Sequence, residues 1–277
     1  MSVILNTGTA RILGYTKPIA RILTSTDGGP VRRIIDGRKT VYTGFFISVK
    51  ANFGQMPWES RGAEKSAMIL AEGSSRVVSL LAQPHRLEMF VAQQKKPLIY
   101  FPDLQLRAHP SFVEDLDREV PFSVAALAPS FDEPDENFKT VILEMKSERD
   151  RRQHTPRYQA KIELAKEVYE RLGYVFRTIQ REEEIFQFQL RIAASVVSWR
   201  HTAVNQLDVW TVQKILRSGA RPAQSVVEAI GGGPFGWAKL RAMHVRRILE
   251  LDLTDQVAPT TDVRLLLNNS LHVSVAS

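Results

Sequence analysis

The sequence predicts an α/β core over residues 1–180 and a mainly helical part over residues 181–277. In the first part, short apolar runs of strand length alternate with amphipathic segments of helical period, an order typical of a mixed sheet flanked by helices. From about residue 182 the pattern changes to successive helices, and two strand-like runs follow them near the C-terminus. These observations predict two domains, which a chain of 277 residues is long enough to form.

The composition is that of a globular protein with an excess of positive charge. Hydrophobic residues make up 44% of the chain, charged residues make up 24%, and the formal net charge is +7. This charge favours nucleic acid as a partner, although solubility alone would also account for it. Because the chain has no cysteine, it has no disulfide, thiolate zinc site or cysteine nucleophile. We also expect no signal peptide, no membrane span and a cytoplasmic location.

The first 57 residues are basic and are broken by glycine and proline. Short β-like pieces flank a turn at Asp27–Pro30, and the basic residues of this region are Arg11, Arg21, Arg32, Arg33, Arg38 and Lys39. Two interpretations of residues 1–57 stay open. They form either an extended basic arm that touches DNA or a partner, or a solvated segment that leads into the core.

A helix and three strands are predicted next. The helix begins near Ser60, a residue type that caps helix N-termini, and ends near Gly73. The strands follow as short apolar runs at Arg76–Leu81, Arg86–Val91 and Leu98–Leu106. This order begins an antiparallel sheet beside the helix.

An acidic segment then interrupts the core. Residues from about 109 to 139 are rich in Asp, Glu and proline, and we interpret them as a surface insertion between two core strands. The sheet is predicted to resume with a strand at Thr140–Met145. An amphipathic helix at Tyr158–Leu172 and a strand at Tyr174–Ile179 complete the core.

The C-terminal part has the pattern of a winged helix, which is a form of helix-turn-helix. Its helices and strands are predicted at Ile185–Arg200, Ala203–Leu216, Arg221–Ile230, Phe235–Val245, Ile248–Leu253 and Val263–Leu267. The helix after the glycine turn at 231–233 is basic, and the residues expected to contact DNA are Lys239, Arg241, Arg246 and Arg247. The alternative is a helical bundle whose basic face binds protein.

One group of core residues has the chemistry of a metal-dependent site. Asp103 follows a proline in one strand-like run. Glu144 and Lys146 alternate with apolar residues in another, so they share one face of a strand. Mg²⁺ prefers oxygen ligands and needs only two or three carboxylates. Asp103 and Glu144 are the expected ligands, and the carbonyl of Met145 and the carboxylate of Glu64 complete the set.

Such a group is suited to cleaving phosphodiesters. A water attacks the phosphorus, and a bound Mg²⁺ offsets the charge that develops on the phosphate and on the departing oxygen. Lys146 is spaced to orient that water or to offset phosphate charge. Pro-Asp and Glu-x-Lys are each expected roughly once by chance in a chain this long, so a surface salt bridge of Glu144 with Lys146 is the alternative.

Basic residues follow the Glu-x-Lys strand. Those expected to contact the DNA backbone are Arg149, Arg151, Arg152 and Lys161. Contacts of this kind supply affinity and position rather than sequence specificity. A solvated basic face is the alternative.

The same motifs resemble those of the TnsA family of transposon-end endonucleases. The family pattern runs Glu-Ser, Glu, Val, Gln-Pro, Tyr-x-Pro-Asp and Glu-x-Lys, and it is matched in order by Glu59-Ser60, Glu64, Val77, Gln83-Pro84, Tyr100–Asp103 and Glu144–Lys146. The resemblance covers roughly residues 40–180, and the C-terminal part is similar to the winged-helix-like half of that family. Two departures are the long spacing from Asp103 to Glu144 and the residues 61–63, where the family is usually apolar.

The resemblance implies a fold, a reaction and partners. The fold is the PD-(D/E)XK, restriction-endonuclease-like fold, with Glu64, Asp103, Glu144 and Lys146 in the active site and Gln83 beside it. The reaction is Mg²⁺-dependent cleavage of the 5′ strands at transposon ends, with Mn²⁺ as a substitute ion. The partners are double-stranded DNA, a DDE transposase that cuts the 3′ strands and an AAA+ ATPase regulator, in a bacterial cytoplasm near the nucleoid. Two alternatives are a stand-alone restriction or repair endonuclease and a non-catalytic DNA-binding subunit with the same fold.

Overall fold

The computed structural model describes residues 2–5, 20–32, 34, 42–91, 96–130, 137–148 and 154–266. The strands are β1 Ser2–Leu5, β2 Ala20–Thr24, β3 Gly44–Ser48, β4 Gly54–Trp58, β5 Val77–Ala82, β6 His85–Met89, β7 Leu98–Tyr100, β8 Leu104–Ala108, β9 Lys139–Lys146, β10 Val175–Gln180, β11 Arg221–Pro222, β12 Leu249–Leu251 and β13 Asp262–Leu265. The helices are α1 Glu64–Gly73, α2 Pro110–Asp117, α3 Phe122–Leu127, α4 Pro156–Arg171, α5 Arg181–Glu184, α6 Gln187–Val197, α7 Gln206–Leu216, α8 Ala223–Ala229 and α9 Gly233–Val245.

Two four-stranded sheets organise the N-terminal part. One sheet has the strand order β1-β2-β6-β7 and is antiparallel throughout. The other has the order β10-β9-β8-β5, in which β10 runs parallel to β9 and the remaining pairs are antiparallel. The predicted α/β class with a mixed sheet is therefore confirmed.

Strand β9 separates two apolar cores because its side chains alternate between its two faces. Leu143 packs in the larger core with residues of α1, α2 and α3. Ile142 packs in the smaller core, which includes Ala165 of α4. Glu144 and Lys146 follow Ile142 at every second position of β9. Their side chains therefore lie on the same face as Ile142, toward α4, as the alternation predicts.

Helix α1 begins later than predicted. Trp58 ends strand β4, and the helix starts at Glu64. Ser60 caps the turn before the helix, because its Oγ accepts a hydrogen bond from the backbone N of Ala63 at 3.1 Å. The late start places Glu64 at the helix N-terminus, where the partial positive charge of the helix dipole favours a carboxylate.

The run predicted as one strand, Leu98–Leu106, is divided between the two sheets. Strand β7 ends at Tyr100 in the first sheet, and β8 begins at Leu104 in the second. Pro102 has no N–H to donate to a neighbouring strand, which favours a break in the ladder at this point. Asp103 consequently lies in the connection between the two sheets.

The acidic segment at about 109–139 is not a surface insertion. It folds into helices α2 and α3, and Phe112 and Phe122 have no exposed surface. Its acidic residues include Glu114, which lies on the exposed side of α2, so the acidic composition concealed an amphipathic helix. Residues 131–136 lie outside the described residues.

Part of the predicted basic arm belongs to the folded body. Strand β2 pairs with β6, and Ile22 is buried there. The hairpin of β3 and β4 contributes Phe46 and Met56 to the larger core. For these stretches, neither an extended arm nor a solvated segment is correct. The basic residues of this region that lie outside the described ranges are Arg11, Arg33, Arg38 and Lys39.

The part after residue 180 is mainly helical and ends in a small sheet with the order β11-β13-β12. The helix predicted at Ile185–Arg200 starts at Gln187, after the separate short helix α5. Val196 of α6 and Leu240 of α9 belong to the same apolar core as Leu143, so the larger core continues across residue 180. None of the helices in the described ranges is both long and apolar enough to cross a membrane.

Candidate active site

Three structural elements bring the predicted site residues together. Glu64 is the first residue of α1, Asp103 directly precedes β8, and Glu144 and Lys146 lie at the end of β9. Strands β8 and β9 are hydrogen-bonded neighbours, so Asp103 and Glu144 meet at one end of the sheet. The charges of Glu64 and Glu144 both act on Asp103. The four residues therefore form one cluster.

Asp103 ties the cluster together through its side chain. Its Oδ2 accepts a hydrogen bond from the backbone N of Met145 at 2.7 Å. The N–H and C=O groups of one strand residue point toward the same neighbour, so the carbonyl of Met145 is also directed to this side. The carbonyl of Asp103 accepts a hydrogen bond from the backbone N of Gln83 at 2.9 Å. Gln83 therefore lies beside Asp103.

The pKa of Asp103 is raised well above its ordinary value. Burial disfavours the charged carboxylate, and the charges of Glu144 and Glu64 add repulsion. The hydrogen bond from Met145 and the charge of Lys146 offset part of this effect. A further positive charge at this position would relieve the remaining repulsion.

The pKa of Glu64 is raised to about 7, first by burial and then by the charges of Glu59 and Glu144. Its Oε2 accepts a hydrogen bond from the backbone N of Glu59 at 2.9 Å, which acts against that shift. Only 8% of Glu64 is exposed. The N-terminus of α1 therefore holds a buried carboxylate whose charge is only partly compensated.

Glu144 is held by donors from three elements. Lys146 Nζ lies 2.6 Å from Glu144 Oε1, and Tyr158 Oη donates a hydrogen bond to the same oxygen. Tyr100 Oη donates to Glu144 Oε2 at 2.5 Å. Glu144 is 6% exposed and Lys146 is 4% exposed. The pair is therefore buried, and the alternative of a surface salt bridge is wrong.

The donor chemistry of the cluster fits a hard divalent cation. Asp103, Glu144, Glu64 and the carbonyl of Met145 are oxygen ligands of the type that Mg²⁺ prefers. A bound cation would favour the ionised form of the two carboxylates whose pKa values are raised. In the described part of the chain, no set of three or more His, Asp or Glu side chains is already arranged to hold a metal ion.

Tyr100 and Tyr158 also belong to the cluster, although the sequence did not indicate that either tyrosine contacts Glu144. Tyr100 ends β7 shortly before Asp103, and Tyr158 lies in the first turn of α4. That helix covers the face of β9 that carries Glu144. The tyrosine in its first turn was therefore the sequence feature from which a contact with Glu144 could have been predicted. Both hydroxyl groups donate to the Glu144 carboxylate.

The predicted DNA-binding residues near the cluster are only partly described. Arg149, Arg151 and Arg152 lie outside the described residues. Lys161 of α4 is half-buried, and its Nζ lies 4.9 Å from the ring centroid of Tyr158. Lys161 therefore stands close to the cluster, and its contact with DNA stays a prediction.

The predicted basic face of the C-terminal helix is largely internal. Lys239 Nζ lies 2.7 Å from Asp208 Oδ1. Arg246 donates to backbone carbonyls, including that of Thr202 at 2.7 Å. Helix α9 packs against α6 and α8. DNA contact by Lys239 or Arg246 would require that residue to exchange its protein partner.

The other two basic residues of this group differ in how accessible they are. Arg247 is 9% exposed, and its Nε donates to the carbonyl of Ser75 at 2.7 Å. Arg241 is half-buried, with its guanidinium 5.5 Å from the ring centroid of Trp237. Arg241 is therefore more accessible than Arg247 for a contact with a partner.

No protein-family model matches this chain, and no curated protein matches it.

Proposed function

We propose that this protein is a Mg²⁺-dependent DNA endonuclease whose active site consists of Glu64, Asp103, Glu144 and Lys146. One arrangement carries the proposal. Asp103 accepts a hydrogen bond from Met145 N at 2.7 Å, and on the adjoining strand end Lys146 lies 2.6 Å from Glu144. Buried carboxylates that repel one another, with a lysine beside them, suit metal-dependent cleavage of phosphodiesters.

The residues of the cluster have separate roles in this reaction. When bound, the metal supplies a Lewis acid that polarises the phosphate and lowers the pKa of water. Asp103, Glu144 and the carbonyl of Met145 would hold the ion, and Glu64 would complete the set of oxygen ligands. Lys146 orients the attacking water or offsets charge on the scissile phosphate. Water is the nucleophile, so no covalent enzyme intermediate forms, and Mn²⁺ substitutes because it accepts the same oxygen ligands.

The fold that we propose is PD-(D/E)XK, restriction-endonuclease-like, for residues 1–180, with a winged-helix-like domain over 181–277. The first assignment is supported by the mixed sheet β10-β9-β8-β5, which carries the cluster at one end of its inner strands β8 and β9. The second is supported by the order α7, β11, α8, α9, β12, β13 and by the sheet order β11-β13-β12, because a winged helix combines three helices with a β-ribbon.

The substrate that we propose is double-stranded DNA at transposon ends. The motif resemblance to the TnsA family supports cleavage of the 5′ strands, together with a DDE transposase and an AAA+ regulator. The net charge of +7 supports an anionic substrate. Lys161, whose Nζ lies 4.9 Å from the ring centroid of Tyr158 in the cluster, is a basic residue that we propose contacts the backbone of such a substrate.

Cleavage assays with Asp103→Ala test the proposal. We expect the purified protein, with Mg²⁺ or Mn²⁺ and its transposase and regulator, to cut the 5′ strands at element ends. The Asp103→Ala variant should bind DNA and remain folded by circular dichroism but not cut. Undiminished cutting by the variant would remove Asp103 from the site. Cutting of arbitrary plasmids at defined positions by the chain alone would instead indicate a restriction or repair enzyme.

A further inference from the structure

Tyr158 connects the two charged residues at the end of β9. Its Oη donates a hydrogen bond to Glu144 Oε1, the oxygen that also receives Lys146 Nζ at 2.6 Å. Its ring lies beneath the same ammonium group, with Lys146 Nζ 4.3 Å from the ring centroid. One side chain thus contacts both members of the pair, through a hydrogen bond and a cation–π interaction.

The donors to Glu144 leave little of its carboxylate for a cation. A carboxylate has about four lone-pair sites, two on each oxygen. In the described part of the chain, Lys146 and Tyr158 both donate to Oε1, and Tyr100 donates to Oε2. Only Oε2 therefore has a site left for a metal ion. A cation that binds Glu144 through both oxygens must displace either Lys146 or Tyr158.

Tyr158 is the more accessible of the two tyrosines that hold Glu144. It lies between two open cavities of about 330 and 410 Å³, and both are lined by it. The first cavity is also lined by Lys146, and the second by Lys161. Tyr100, in contrast, is 3% exposed and packs edge-on against Phe176. Tyr158 therefore has room to turn away from Glu144, whereas Tyr100 is fixed by the core.

We propose that Tyr158 is a positioning residue that holds Glu144 and Lys146 together and thereby restrains the binding of a divalent cation. This inference rests on the proposed function, because the cation is the one that the endonuclease uses. When Tyr158 turns into either cavity, Glu144 Oε1 regains a lone pair. Metal affinity is then governed by whether Tyr158 occupies its position on Glu144.

The test is calorimetric titration of the full chain with Ca²⁺, a hard cation that takes oxygen ligands. Tyr158→Phe removes the hydroxyl and keeps the ring under Lys146. We expect this variant to bind Ca²⁺ about tenfold more tightly than wild type, since a hydrogen bond to a charged group no longer competes with the ion. The matched control is Tyr174→Phe, because Tyr174 is also a half-buried tyrosine and stacks on Tyr169 away from Glu144. It should bind Ca²⁺ as wild type does.

Three outcomes separate this inference from the proposed function. Equal or weaker Ca²⁺ binding by Tyr158→Phe, while Asp103→Asn abolishes binding, overturns the role of Tyr158 and leaves the metal site standing. A lower melting temperature of Tyr158→Phe without tighter Ca²⁺ binding also overturns it, because a merely structural tyrosine would behave in that way. If wild type and Tyr158→Phe both bind no Ca²⁺, even with duplex DNA present, the proposed metal site itself is wrong.

Discussion

The backbone N–H of Met145 donates to Asp103 Oδ2 at 2.7 Å, and this hydrogen bond joins the connection between the two sheets to the end of β9. The acceptor is the carboxylate of Asp103, whose charged form is disfavoured by burial and by the charges of two neighbouring glutamates. The fold therefore keeps an ionisable group at a position where its charged form lowers stability. Local conflicts of this kind are expected at functional sites rather than in a structural core.

Asp103→Asn should stabilise the metal-free protein. The amide oxygen can still accept the hydrogen bond from Met145, while the substitution removes a charge that Glu144 and Glu64 repel. At about pH 8 we expect the free energy of unfolding to rise, because the raised pKa of Asp103 lowers the stability of wild type at pH values above the ordinary pKa of an aspartate. Urea denaturation without metal measures this change. A less stable variant would show that the charge of Asp103 is already well compensated.

Glu64 should make stability fall as the pH rises. Its pKa is about 7 in the folded protein and 4.5 ordinarily, so the folded state binds the proton more tightly than the unfolded chain. The stability that this provides is complete below pH 4.5 and is lost as the pH rises through about 7. Glu64→Gln should remove this loss of stability. The melting temperature of the variant should therefore rise relative to that of wild type as the pH increases from about 5 to about 8. A difference that stays constant with pH would contradict this account of Glu64.

His244 should make stability fall as the pH falls, which is opposite to the effect of Glu64. Its Nε2 lies 2.8 Å from the carbonyl of Gly73, and its Nδ1 accepts from Leu251 N at 3.0 Å, which suits a neutral ring. Burial lowers the pKa of His244 from 6.5 to about 4. Its contribution is therefore present above pH 6.5 and is lost as the pH falls through about 4, by up to roughly 3 kcal/mol.

Denaturation of His244→Gln measures that contribution. The variant should be less stable than wild type at about pH 7.5, because two buried backbone groups lose their partner. The gap should narrow on acidification from about pH 6.5 to about pH 4, because wild type loses the contribution of the neutral His244 ring over that range. Parallel stability curves for the two proteins would rule out His244 as an acid-sensitive group.

Lys161 and Arg247 should separate DNA binding from folding. Lys161 stands beside the cluster, and its loss should weaken DNA binding uniformly and reduce the salt slope of affinity by about 1. Arg247 is buried against Ser75, so Arg247→Ala should instead cost about 2 kcal/mol of stability by leaving a backbone carbonyl without its donor. Fluorescence anisotropy with duplex DNA at several salt concentrations, together with urea denaturation, distinguishes the two effects. A Lys161→Ala variant with unchanged DNA affinity would place the DNA backbone elsewhere.

The sequence could predict the geometry of β9 because alternation along a strand is a local property. Glu144 and Lys146 had to share a face once the strand was recognised, and their hydrogen bond follows from that. The position of Asp103 beside Met145 depends on which strands are neighbours, and local patterns do not encode this. That the two halves of the cluster would meet was predicted from the chemistry of residues in two separate strand-like runs and from the family resemblance.

Burial was the property that the sequence predicted least well. Phe122 lies in a segment whose acidic composition suggested a surface insertion, yet it is fully buried. Arg247 belongs to a basic run that suggested a DNA-binding face, yet it donates to a carbonyl in the interior. In both cases composition describes the segment, whereas burial depends on the elements that pack against it.

The most direct test of the central claim is DNA nicking by Lys146→Ala. The matched control is Lys166→Ala, because Lys166 is exposed on α4, away from the Glu144 pair. With Mg²⁺ or Mn²⁺ and the transposase and regulator present, Lys166→Ala should nick DNA as wild type does, and Lys146→Ala should lose nicking by at least about 100-fold, the scale expected for an electrostatic catalytic group. Equal nicking by the two variants would contradict the assignment of this cluster as the active site.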